Sequence, residues 1–106
     1  MTIAVRIDYF DGCPGWEVAR ARLVEAAARL GVELEVELCR VETIEAAQRL
    51  GFTGSPTIRI GGRDPFAQPG AVPALACRLY VTPEGLAGSP TTEQLVAVLA
   101  GQAHAG

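Results

Sequence analysis

Tyr9-Phe10-Asp11-Gly12-Cys13-Pro14-Gly15-Trp16 is the stretch on which the fold of this chain turns. An alternating apolar segment precedes it and a segment with helical spacing follows, so it marks the handover from a strand to a helix. Pro14 suits the first helical position, because its φ is already helical and the N–H it lacks would have had no partner there. Cys13 then falls at the helix N-cap, facing unpaired backbone N–H groups and the positive end of the helix dipole. Both favour thiolate over thiol, which is how a reactive cysteine is made. Asp11, two residues earlier, opposes that charge by repulsion. A second cysteine three residues on would complete a Cys-x-x-Cys redox pair, and Trp16 holds that position.

Upstream, Ile3, Val5, Ile7 and Tyr9 alternate with Ala4, Arg6, Asp8 and Phe10, which predicts a first strand. Downstream, Trp16, Ala19, Leu23, Ala26, Ala27 and Leu30 recur at helical spacing as far as Gly31. Leu34, Val36 and Leu38 then alternate with Glu33, Glu35 and Glu37, and the wet acidic face suits an edge strand. A short helix over 43–50, closed by Gly51, leads to a third strand over 57–60 that Gly61-Gly62 stops. After a loop rich in Pro and Gly, a fourth strand is expected over 75–81, with Leu75, Cys77, Leu79 and Val81 on one face. A last helix starts near Thr91 or Thr92 and carries Leu95, Val98 and Leu99. The order β-α-β-α-β-β-α predicts an α/β domain over residues 1–101, with a four-stranded mixed sheet flanked by helices and a flexible tail over 102–106. The strand–helix–strand unit demands a right-handed crossover and parallel strands, while the closing strands can pair antiparallel.

Composition narrows the classes. A chain of 106 residues makes one domain, and 49% apolar residues is ordinary for a globular core. The formal charge is −3 and Arg supplies every cation, with no patch dense enough to argue for nucleic acid. The N-terminal residues show no secretory signal, and no apolar run approaches the ~20 residues of a membrane span. The expected location is cytoplasmic, where three cysteines stay reduced; an odd count also closes no disulfide framework. There is no His pair at metal spacing, no phosphate-binding glycine loop and no Ser-His-Asp arrangement, so neither a metal nor a cofactor is expected.

Three features together carry a family likeness: the element order, Cys13-Pro14-Gly15-Trp16 at the start of the first helix, and Gly54-Ser55-Pro56-Thr57 before the third strand. On these the chain resembles the thioredoxin-like superfamily over nearly its whole length. It is similar within it to small bacterial thioredoxin-like proteins, some of which are labelled as similar to alkylmercury lyase. The resemblance implies that Pro56 is cis and lies against Cys13, exposing the backbone of Ser55 to an extended thiol substrate. Because Trp16 replaces the resolving cysteine, it implies a single-thiol oxidoreductase: Cys13 attacks a mixed disulfide and a small thiol resolves the product. Ser55, Pro56 and Trp16 would bind the substrate, a small-molecule thiol or a protein disulfide, and a homodimer is compatible with the fold. The competing class is a non-enzymatic binding or dimerisation module in which Cys13 is only a helix cap.

Cys39 lies in register with the glutamates at the end of its strand. It is either a passive, partly exposed thiol or a resolving partner for Cys13, which requires Cα atoms within about 7 Å. Cys77, sharing a face with Leu75 and Leu79, reads as a small apolar core residue. The alkylmercury lyase likeness implies instead that Cys13, Cys77 and an acid, Asp11 or Asp64, handle mercury. Asp8 interrupts the first strand and, if buried, must be paired, with Arg6 or Arg59 as partners; the resemblance implies a proton acceptor behind the active site. Trp16 is either packing for the first helix or a pocket wall. Arg63 is an anion contact or part of a plain turn, and His104 has no partner nearby in sequence and is assigned no role.

Overall fold

β1 (Thr2–Tyr9) is the middle strand of a three-stranded sheet in the order β2-β1-β3 in the computed structural model, which describes the backbone of residues 1–105 and the side chains of residues 1–103. α1 (Gly15–Leu30) returns the chain so that β2 (Glu33–Arg40) pairs parallel to β1 at the edge. α2 (Ile44–Leu50) then leads to β3 (Thr57–Ile60), which pairs antiparallel on the other side. The register sets Val5 beside Val36 and Ile60, and Ile7 beside Leu38 and Ile58. Partnered residues share a face, so the apolar side chains of all three strands point one way. α1 and α3 (Thr92–Ala105) cover that face, and Ile3, Val5, Ile7, Leu23, Ile58 and Leu95 lie at the centre of the core.

The opposite face is polar. Asp8 is fully buried there, and its carboxylate meets Arg6 Nε at 2.7 Å and Arg59 Nε at 3.2 Å. Two guanidinium groups offset the cost of burying one carboxylate. Arg59 also donates through Nη2 to Leu50 O at 2.7 Å and Gly51 O at 3.2 Å, so the acid in β1 indirectly ties the sheet to the C-terminus of α2. A smaller core of Val41, Ala47 and Phe52 packs beside α2. Thr43 caps that helix, accepting from Ala46 N at 3.1 Å.

Two expectations are corrected. Residues 75–81 do not form a fourth strand of the sheet. Instead β4 (Tyr80–Thr82) and β5 (Gly85–Ala87) make a separate antiparallel hairpin. The backbone of the preceding segment bonds to the loop before β3, through Ala74 N to Phe52 O (3.1 Å), Ser55 N to Ala76 O (2.8 Å) and Arg78 N to Ser55 O (2.9 Å). The alternation over 75–81 is present with its faces reversed: Arg78 and Tyr80 are buried, while Cys77, Leu79 and Val81 are exposed. The cause is polar. Arg78 turns inward onto Asp64 at 2.7 Å, which leaves Leu79 and Val81 on the outward side. Second, α3 continues through residues 102–105, where a tail was expected. Its start is a capping box, with Gln94 N donating to Thr91 Oγ1 at 3.1 Å and Thr91 N to Gln94 Oε1 at 2.9 Å. Among the described residues no helix is long and apolar enough to cross a membrane.

Candidate functional site

The turn after β1 brings Cys13 back over the sheet edge, where Cys13 N donates to Phe10 O at 3.3 Å. Pro14 is the N-cap of α1, so Cys13 stands one residue before the cap, not on it. Gly15 allows this close seating, because a Cβ there would lie 2.5 Å from Gly88 O and 3.5 Å from Pro56 Cδ. The Ser55–Pro56 bond is cis, and Cys13 Sγ lies 3.7 Å from Ser55 O.

Cys13 is joined to Cys77 by a disulfide, with Cα atoms 5.7 Å apart and a separation of 64 positions in sequence. That Cα distance is inside the range a disulfide spans without backbone movement. Since the bonded Cys13 sulfur carries no proton, its approach to Ser55 O is only a contact; on reduction the thiol can donate to that oxygen. The structure thus supplies the second thiol that Trp16 denies to the local motif. Two expectations change with it. The three cysteines are not all reduced, and Cys77 is not a core residue: Cys13 is 5% exposed, whereas Cys77 is the exposed member of the pair. Cys39 stays free and half-buried, and so is not the partner of Cys13. Burial, then the neighbouring Asp8 carboxylate, push its thiol above the ordinary range, with Arg6 pulling the other way.

Ser55 was expected to offer its backbone to a substrate. Its N–H goes to Ala76 O and its carbonyl accepts from Arg78 N, so the chain's own Cys77 segment takes both groups. Gly54, at φ +123°, makes this possible, because a Cβ would sit 2.8 Å from Arg78 Cβ. Arg78 anchors the segment from below. It donates to Asp64 at 2.7 Å and to Phe66 O at 2.6 Å, and its guanidinium lies 4.6 Å from the centre of the Tyr80 ring. The Tyr80 hydroxyl in turn donates to Pro56 O. Burial raises the Tyr80 phenol well above its ordinary pKa; Arg78 works against this and Asp64 adds to it.

Trp16, Asp11, Asp8 and Arg63 do not line the cavity at Cys77. Trp16 stacks on Tyr9 with ring centres 4.4 Å apart and packs on the main core. The cavity it lines with Glu17, Arg20 and Val24 includes neither sulfur, so it is not the wall of a pocket at the disulfide. Asp11 is paired with Arg40, which offsets the repulsion expected of it. Asp8 stands opposite Cys39 in register and is engaged by Arg6 and Arg59, an arrangement that anchors the fold. Arg63 is exposed in a tight turn that returns to Ile60. The side chain of His104 lies outside the described residues.

Cys77 opens onto a cavity of about 270 Å³ lined by Thr53, Gln68, Ala71, Arg78 and Leu79. A larger one, about 710 Å³, lies on the polar face of the sheet and includes neither sulfur. Its Arg59 is already committed to Asp8 and to α2. Among the described residues no group of three or more His, Cys, Asp or Glu side chains could hold a metal ion. Sequence reasoning missed Arg78, Tyr80 and the role of Asp64 as their anchor; the available signal was a lone arginine inside an otherwise apolar alternating run. No family model matches the chain, and no curated protein or solved structure is found to be similar to it.

Proposed function

We propose that this chain is a thioredoxin-like thiol–disulfide exchange protein whose redox pair is Cys13 and Cys77. The observation that carries the reading is the joining of these two sulfurs from distant parts of the sequence, with one of them open to solvent. The strand order β2-β1-β3, with β3 antiparallel, supports the fold assignment. So does the seating of Ser55 and Pro56 against the start of α1.

A redox pair must find itself again after each reduction. Two backbone hydrogen bonds to Ser55 and the Arg78–Asp64 ion pair hold the Cys77 segment independently of the sulfur bond. Reduction then leaves the second thiol at a high effective concentration, and closure is intramolecular. In a cytoplasmic setting, moreover, the disulfides that form are mostly transient and catalytic or redox-sensing.

The same adjacency favours a second reading, the capture of mercury or another soft cation by two thiolates. Neither acid cast for that chemistry is free, because Asp11 is paired with Arg40 and Asp64 with Arg78. Turnover of a small mixed disulfide, coupled to glutathione consumption, separates the readings. Exchange chemistry predicts turnover in the wild type and its fall to near background when Cys13 and Cys77 are both replaced by Ser. A soft-cation handler or a binding module predicts no turnover in the wild type, and that result would remove the exchange reading.

A further inference from the structure

The two sulfurs of the pair are unequal, and resting on the exchange function above, that inequality assigns their roles. Exchange requires a thiolate to reach one sulfur of the bond, and access decides which one. Cys13 is 5% exposed, with Ser55 O 3.7 Å from its sulfur. Cys77 is exposed and faces the cavity formed by Thr53, Gln68, Ala71 and Leu79. We infer that the mixed disulfide forms on Cys77, that Cys13 is the internal leaving and resolving sulfur, and that the partner is a small-molecule thiol. This reverses the assignment expected from the motif, in which Cys13 receives the substrate.

The size of the cavity favours a small thiol. About 270 Å³ falls just under the roughly 300 Å³ at which pockets for drug-sized ligands begin. Thr53 supplies a hydroxyl and Gln68 an amide for the polar part of such a molecule.

In the oxidising direction a thiolate RS⁻ attacks Cys77 Sγ, forming the RS–Cys77 bond and breaking the bond to Cys13. The Cys13 sulfur leaves with the electron pair and takes up a proton from solvent. A second RS⁻ attacks the sulfur of the bound R group, releasing RSSR and the Cys77 thiolate. Two thiols are oxidised to one disulfide, and the protein gains the two electrons. In reverse, Cys77 attacks RSSR, one RS⁻ departs, and Cys13 then displaces the second as the internal bond closes.

The test uses glutathione as the probe. Oxidised wild-type protein is exposed to glutathione, quenched with acid and alkylated, and the adduct is located by peptide mass. The expected intermediate carries glutathione on Cys77 and the alkyl group on Cys13. In parallel, glutathione disulfide should load Cys77 of Cys13→Ser at least about tenfold faster than it loads Cys13 of Cys77→Ser. Adducts on Cys13, or equal rates in the two variants, overturn this assignment and leave the redox pair standing. A bond that glutathione does not open but a reduced dithiol protein does overturns the small-thiol partner alone. A native bond that neither reagent opens overturns the exchange function and this inference together.

Discussion

Reducing the Cys13–Cys77 bond tests how strongly the fold and the disulfide support one another. The bond closes a loop across 64 residues. The chain-entropy treatment assigns such a loop about 14 cal/mol/K of lost freedom in the unfolded state, or about 4 kcal/mol at 25 °C. The Cys77 segment is also held by contacts other than the sulfur bond, the hydrogen bonds of Ala76 and Arg78 to Ser55. Most of the effect should therefore reside in the unfolded chain. With urea slopes of about 1–3 kcal/mol/M, the midpoint should fall by roughly 1.5–4 M when reductant is added. By the thermodynamic cycle, the same 4 kcal/mol means that folding raises the effective concentration of one thiol at the other about 10³-fold. Urea unfolding followed by circular dichroism, with and without reductant, is the assay. Coincident midpoints would refute the reasoning, because they would mean that folding does nothing to bring these sulfurs together.

Other expectations follow from the same contacts. Asp64→Asn leaves the buried Arg78 without its counter-charge, and should lower stability by about 3 kcal/mol in urea unfolding; it should also weaken reclosure of the disulfide in a glutathione buffer, since the Cys77 segment loses its anchor. Tyr80 stays neutral to higher pH in the folded protein than in the unfolded chain. Its contribution is intact below the ordinary phenol value of about 10 and is lost as pH rises beyond it, by about 1.4 kcal/mol per unit. Thermal unfolding between pH 8 and pH 12 should show that decline, and Tyr80→Phe should flatten it while costing about 1 kcal/mol at neutral pH. In reduced protein Cys39 should react with iodoacetamide more slowly than a free thiol, because burial and Asp8 disfavour its thiolate; faster reaction would contradict the placement of Asp8.

Most of the framework could be read from periodicity. β1, α1, the acidic edge strand β2, and β3 each announce themselves by spacing, because apolar side chains recur on one face of each. The segment around Cys77 defeated that logic for a physical reason. An alternating run says that two faces differ, but not which is buried, and the inward choice of Arg78 depends on Asp64, fourteen residues earlier. The partner of Cys13 was hidden similarly. No spacing rule links cysteines 64 residues apart, and it took the paired loops around Ser55 to bring them together. Trp16 could be recognised as important, but its stacking on Tyr9 and the separate cavity it lines could not. Asp8 was legible in kind, a buried acid needing Arg6 or Arg59; that both engage it, and that Arg59 thereby holds α2, required the register.

The most direct measurement is a redox titration of the native protein across glutathione buffers, with thiol trapping and peptide mass at each point. Cys13 and Cys77 should pass together from alkylated to protected in one two-electron transition, while Cys39 remains alkylated throughout. If Cys13 and Cys77 stay alkylated in the most oxidising buffer, or Cys39 takes the place of either, the redox pair at the centre of this account does not exist.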